Sequence, residues 1–190
     1  MRIGVLALQG AYIEHINKLG KLDIETKEIR YSRDLNDIDG IIIPGGESTS
    51  IGKLLNESNI KAKIYEVINN GLPVWGTCAG MIILAKKIHD SNKTYIPLMD
   101  IEVVKNAYGR QLSSFTTNQK IKGLQNGFYP MVFIRAPYIK TSQNNVETLS
   151  IVDEKIVAAK QSNILVTSFH PELTDDLRMH QYFINMINNE

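Results

Sequence analysis

Short apolar runs alternate with helical patterns through the first third of this chain, and that alternation narrows the fold more than any other feature. Residues 3–8 form a continuous apolar run of strand length, closed by Gly10. Such a run reads as a parallel strand buried on both faces. Tyr12, Ile13, Ile16 and Leu19 then follow helical spacing. Residues 26–30 form a weaker strand. Residues 40–43 form another apolar one, stopped by Pro44-Gly45-Gly46. Helical patterns cover 48–56 and 60–69, a further strand covers 73–76, and 79–87 reads as helix. Strands separated by helices imply a parallel sheet with helices on both faces. The expected class is α/β, a flavodoxin-like open and mostly parallel sheet.

Beyond about residue 90 the character changes. Residues 101–104, 131–135, 146–152 and 155–159 are strand-like with little helix between them, which predicts a small antiparallel elaboration in the second half. The chain returns to a strongly apolar strand at 164–169 and finishes with a helix over about 175–187. No repeat, low-complexity tract or long linker interrupts 190 residues, so a single domain spanning 1–190 is expected.

Composition excludes several function classes. Twenty-one Lys+Arg against 20 Asp+Glu leave a net charge of +1, no electrostatic footprint for nucleic acid or an anionic membrane. The longest uncharged stretch, residues 67–85, contains Asn69, Asn70, Gly71, Pro73, Gly76 and Gly80 and does not read as a membrane helix. One cysteine, Cys78, rules out an intrachain disulfide and any Cys-clustered zinc site. A cytoplasmic, reducing setting and no metal are the expectations.

That lone thiol sits in the most informative segment. Val74-Trp75-Gly76-Thr77-Cys78-Ala79-Gly80 runs from an apolar strand through Gly-x-Cys-x-Gly into a helical pattern. This is the strand–turn–helix context of a nucleophile elbow, with sulfur in place of serine oxygen. Free N–H groups at a helix start favour a negative sulfur, and the Ala79 N–H is the natural first donor to an oxyanion. A buried, inert cysteine is the competing structural role.

A thiol nucleophile needs a base. His15, His89, His170 and His180 are the histidines of the chain. His170 follows the apolar strand 164–169 directly, so it falls at the sheet edge where Cys78 also falls and where open α/β sheets bind ligands. Pro171 pushes His170 toward extended backbone, and alternation along an extended segment would turn Glu172 toward the imidazole. A carboxylate there fixes the ring's tautomer. His89 reads as a solvated residue at a helix end, His180 as mid-helix among polar neighbours, and His15 as a first-helix residue that could face either way.

A second turn, Pro44-Gly45-Gly46-Glu47-Ser48-Thr49-Ser50, also joins strand to helix. Its glycines let the backbone approach a ligand and offer N–H groups to negative charge, and Ser48 could cap the helix. No Gly-Lys-Ser/Thr follows, so the phosphate-binding P-loop pattern fails. Gly46 N–H as second oxyanion donor fits better. Arg110 and Arg135 lie in loop-like segments. Either could hold a substrate carboxylate or an acidic side chain of the protein, and from composition the structural role is the safer reading.

Together these segments resemble the class I, triad-type glutamine amidotransferases, and most closely the glutaminase subunits of pyridoxal 5'-phosphate synthases. The carrying residues are Leu6-Ala7-Leu8-Gln9-Gly10, Gly45-Gly46-Glu47-Ser48-Thr49, Gly76-Thr77-Cys78-Ala79-Gly80, Tyr108-Gly109-Arg110-Gln111, Phe133-Ile134-Arg135-Ala136-Pro137 and Phe169-His170-Pro171-Glu172-Leu173. The resemblance implies Cys78 as nucleophile, His170 as acid/base and Glu172 as its orienter. It assigns L-glutamine binding to Gly46, Glu47, Ser48, Arg110, Ile134 and Arg135, and on the two arginines it overrules the structural reading. It implies no cofactor, a synthase partner that takes up the ammonia for vitamin B6 synthesis, and a Gly45-Gly46 peptide that turns inward when the partner docks. Lys105 and Ser113-Ser114 depart from the family's usual residues without touching the triad.

Three other readings remain at this stage. One is a glutaminase subunit of another synthase, such as an imidazole-glycerol phosphate synthase. The second is a non-catalytic interaction module of the same fold. The third is a cysteine hydrolase or redox-sensing protein with the same elbow. The Gly-Arg-Gln and Ile-Arg-Ala-Pro segments argue against the first, and the intact Cys78, His170 and Glu172 against the second.

Overall fold

A computed structural model describes residues 1–106 and 114–189. The chain opens as β1 (Arg2–Leu6), α1 (Tyr12–Gly20), β2 (Glu25–Ile29), β3 (Gly40–Ile43), α2 (Ser48–Glu57), α3 (Lys61–Asn69), β4 (Val74–Thr77) and α4 (Ala79–Leu84). It continues through seven strands: β5 (Ala85–Ile88), β6 (Met99–Val104), β7 (Ser114–Gln119), β8 (Tyr129–Ile134), β9 (Tyr138–Ser142), β10 (Glu147–Val152) and β11 (Lys155–Gln161). It closes with β12 (Ile164–Thr167) and α5 (Arg178–Asn188).

The sheet runs in the order β2-β1-β3-β4-β12-β11-β9-β6-β5, with β10 on β11. Its first five strands are parallel. Their spatial order is the flavodoxin-like 2-1-3-4-5 arrangement, with β12 as the fifth strand. The rest is the expected antiparallel extension, apart from the parallel pair β5 and β6.

Alternation along β3 and β4 divides the core between the two sheet faces. Ile41, Ile43 and Val74 pack with Ile51 and Leu55 of α2, Ile64 and Ile68 of α3 and Met81 and Ile83 of α4. Ile42 and Trp75 face the other way, toward Leu19 of α1 and Met179 and Phe183 of α5. Helices therefore cover both faces. Trp75 is fully buried, and its indole N–H donates to Thr167 Oγ1 at 3.2 Å. Truncating such a side chain costs about 3–5 kcal/mol.

The expected helix over 79–87 stops at Leu84, because residues 85–88 pair with β6 instead. Ala85 and Ile88 are buried, while Lys86 and Lys87 reach Asp100 at 2.6 Å and Glu102 at 3.0 Å. Cross-strand packing overrides local propensity there. Besides β5, two further strands were not foreseen. β9 joins β11 to β6, and β7 forms a separate ribbon with β8, in which Phe115 stacks on Phe133 at 4.6 Å. The last helix begins three residues later than expected. Asp176 accepts from the Arg178 backbone N–H at 3.0 Å and fixes that start.

Candidate active site

Three strand ends supply the site. β4 and β12 are in register, Thr77 opposite Thr167, and the Cys78 N–H donates to the Thr167 carbonyl at 2.7 Å. The chain then turns sharply: Cys78 has φ +48° and ψ −102°, and α4 starts at the next residue. A non-glycine residue held there stores strain, as nucleophile elbows do. The flanking glycines are required by contact. A Cβ on Gly80 would strike the Ile43 carbonyl, and one on Gly76 would strike the Gly80 backbone. Cys78 keeps 7% exposure, and its Sγ lies 3.9 Å from the Ile134 carbonyl oxygen.

His170 follows β12 and is fixed by its own N–H, which donates to the Val132 carbonyl at 2.8 Å. Its Nδ1 pairs with Glu172 Oε1 at 2.6 Å, which leaves Nε2 free to serve the Cys78 thiol at the same cavity. The route to Glu172 differs from the expected extended segment. Pro171–Leu173 is a single 3-10 turn with proline at its start, so the carboxylate comes back to the ring through a turn. Burial alone would lower the basicity of His170. The nearby Cys78 and Glu172 outweigh it and raise the pKa. Burial opposes the Glu172 charge as well, and the neighbouring His15 and His170 rings more than offset it, so its pKa is lowered. The arrangement can hold an imidazolium between a sulfur anion and a carboxylate.

These groups open onto a cavity of about 430 Å³. Gly46, Glu47, Ser48, Cys78, Ala79, Ile134, Arg135 and His170 line it together. Every expected site residue is thus at or beneath this cavity except Arg110, which lies outside the described residues. Within the glycine turn the expectation for Ser48 is corrected. Glu47 caps α2, accepting from the Thr49 and Ser50 N–H groups at 3.0 and 2.7 Å. Those bonds, led by the one from Thr49, lower its pKa to about 2. A longer acidic side chain one residue earlier outcompetes the serine for these donors. Arg135 adopts φ +44° at the cavity wall.

Residues 5–189 match the SNO glutamine amidotransferase family. The chain belongs to that family. It is 52% identical over 187 residues to the pyridoxal 5'-phosphate synthase subunit PdxT of Ruminiclostridium cellulolyticum, covering 98% of this chain and 99% of the relative. It is 54% identical to the PdxT of Carboxydothermus hydrogenoformans, covering 98% of each. A crystal structure of a glutamine amidotransferase superposes with a TM-score of 0.93 at 40% identity, covering 98% of both chains.

In this SNO-family chain several residues at the site escaped the sequence reading. The Gln9 side-chain Oε1 accepts from the Glu47 N–H at 2.9 Å and braces the glycine turn, and Lys105 and Asn106 complete the cavity wall. Thr77 Oγ1 accepts from the Gly45 N–H at 3.0 Å, tying the glycine turn to the cysteine elbow. Two histidines read as unremarkable are fully buried behind Glu172. His15 Nε2 lies 3.3 Å from both Glu172 Oε2 and Thr77 Oγ1, and its Nδ1 is 3.1 Å from His180 Nε2. Their signal was present in the helical pattern: His15 and Leu19 share a face four residues apart, as do His180 and Phe183 at three.

Proposed function

We propose that Cys78, His170 and Glu172 are the catalytic triad of a single glutaminase domain spanning residues 1–190. In this reading the chain hydrolyses L-glutamine to L-glutamate and ammonia. The observation that carries it is the meeting of Cys78 and His170 at one cavity of about 430 Å³, with Glu172 2.6 Å from the imidazole Nδ1. Cys78 Sγ attacks the carboxamide carbon. His170 gives its proton to the amide nitrogen, the C–N bond breaks, and ammonia leaves a thioester behind. Water then attacks the thioester carbon, His170 takes its proton, and the C–S bond breaks to release glutamate. The Ala79 and Gly46 N–H groups serve the oxyanion in both steps.

Glycine turn and arginine wall divide the substrate between them. Gly46, Glu47 and Ser48 hold the amino-acid portion from one side, and Ile134 and Arg135 from the other, with Arg110 completing the site. An arginine fork suits the substrate's α-carboxylate. Glu47 contributes mainly by holding the turn, since its carboxylate is already engaged by α2. The Gly45 carbonyl accepts from the Ala11 N–H at 3.0 Å, which directs the Gly46 N–H of the same trans peptide away from Ala11. A change in that peptide on docking makes activity depend on the partner.

The partner is a pyridoxal 5'-phosphate synthase subunit, to which the ammonia passes by a protected route. Full-length similarity to two PdxT subunits supports this assignment. No helix among the described residues is long and apolar enough to cross a membrane. We place the pair in the cytoplasm. The test is glutamate release by the chain with and without a pyridoxal 5'-phosphate synthase subunit. Release should rise on mixing and vanish for Cys78→Ala, which still binds the subunit. No gain at any mixing ratio would point to another synthase.

A further inference from the structure

Behind the proposed triad lies a polar cluster that the reaction as written does not use. His15 on α1 and His180 on α5 are fully buried, and the edge of each ring meets the Trp75 indole, with centroids 5.6 and 5.1 Å away. His15 reaches three groups: Glu172, Thr77 and His180. Buried polar groups of this kind are costly unless their hydrogen bonds are satisfied, so their proton positions are constrained.

Two arrangements of protons are available to the neutral rings. If His15 carries its proton on Nδ1 and donates to His180 Nε2, the His180 proton sits on Nδ1. That atom has no hydrogen-bond partner among the described residues, so a buried N–H would be orphaned. The His15 Nε2 lone pair would also face the Glu172 carboxylate at 3.3 Å. If instead His15 carries its proton on Nε2, His180 donates from Nε2 to His15 Nδ1. Only a lone pair is then left at His180 Nδ1, and the His15 N–H points at two oxygens, Thr77 Oγ1 and Glu172 Oε2. The second arrangement pairs every ring N–H and gives the buried carboxylate oxygen a donor, and its cost falls on the Thr77 hydroxyl proton alone. Glu172 Oε2 otherwise has no hydrogen-bond partner among the described residues.

We propose that His15 is a positioning residue for glutamine hydrolysis, sharing its Nε2–H between Glu172 Oε2 and Thr77 Oγ1. It thereby fixes the triad carboxylate in register with the turn that carries Gly45 and Gly46. This rests on the reading of Cys78, His170 and Glu172 as a glutaminase triad. The linkage is continuous. His170 takes one oxygen of Glu172, His15 takes the other, and Thr77 passes the contact to the Gly45 N–H at 3.0 Å. Nucleophile, base and oxyanion turn are held on one buried post. Complete burial keeps His15 below its ordinary pKa, so it serves as a neutral donor. The other titratable groups around the pair are His170 on the same turn, Glu14 and Lys18 on α1, His180 on α5 and Tyr129 on β8.

The experiment compares wild type with His15→Phe, His15→Gln and His15→Asn, each mixed with the synthase subunit and assayed for glutamate release across pH. Phenylalanine keeps the ring and loses the donor. Glutamine places an N–H near the Nε2 position, whereas asparagine places one near Nδ1, facing His180. Expected is a fall in kcat of about tenfold or more for the phenylalanine variant, with KM for glutamine unchanged. Its carboxylate, having lost a donor, should protonate more readily, moving the acid limb of kcat/KM upward by about half a pH unit or more. Glutamine should recover most of the rate and asparagine should not; this pair decides the matter if the phenylalanine variant does not fold. Equal rates and pH limbs in wild type and the phenylalanine variant, or equal rates in the glutamine and asparagine variants, would overturn the assignment alone. A wild type that releases no glutamate would bring down the glutaminase reading and this inference with it.

Discussion

His170 and His15 flank the same carboxylate, and burial acts on both, yet they titrate in opposite directions. His170 is raised because a thiol and Glu172 both favour its charged form over the cost of burial. His15 is lowered because burial dominates over the pull of Glu172, and the charge of His170 adds to the lowering. One ring faces the cavity, where a proton can be gained and lost; the other is walled in by Trp75 and α5. Position relative to the sulfur, more than distance to the carboxylate, separates a proton carrier from a fixed donor.

The strongest way to break this comparison is to remove the carrier. His170→Asn should cut glutamate release on the order of 10⁴-fold or more, because the thiol loses its base and ammonia its proton source. Glu172→Gln keeps the shape and loses the charge shared by both rings, so kcat should fall on the order of 10³-fold with little change in KM. Turnover assays with the synthase subunit check both. Equal losses for the two variants would mean that His170 acts only through Glu172.

Stability against pH sharpens the same contrast. The folded pKa of His170 lies above its ordinary value of 6.5, so its contribution is complete below that pH and is lost as pH rises through the raised value. His15 and His180 are lowered, the latter to about 2, so their contribution is present above 6.5 and lost as pH falls below it. Urea midpoints should therefore decline on both flanks. Cys78→Ser should flatten the alkaline decline, since the thiolate partner is gone, while His180→Phe flattens the acid one. The smallest effect concerns the cap: Glu47→Ala should cost about 1 kcal/mol of stability, seen as a lowered Tm. That contribution is present above the ordinary value of 4.5 and fades as pH falls toward 2.

Much of this was legible in the residues. The parallel strands, both glycine turns and the residues of the proposed triad stand at named positions because apolar runs and tight turns leave local signatures. Strands β5 and β9 were not legible, since Lys86-Lys87 and Lys140-Thr141-Ser142 carry no apolar alternation and are strands because β6 pairs with both, with β11 on the other side of β9. Ser48 was read as a cap because serine commonly fills that role, and nothing in the sequence showed Glu47 folding back onto the two N–H groups. His15 and His180 lie 165 residues apart. Only the packing of α1 and α5 on the same sheet face places them together behind Glu172.

The central claim is that Cys78 carries the acyl group, and direct capture of that intermediate tests it most sharply. The chain and its synthase subunit are quenched in acid during turnover of L-glutamine, and the Cys78 peptide is weighed by mass spectrometry. A glutamyl adduct on Cys78, absent from Cys78→Ala, is the predicted result. An adduct on another residue, or steady glutamate release by Cys78→Ala, would contradict the account.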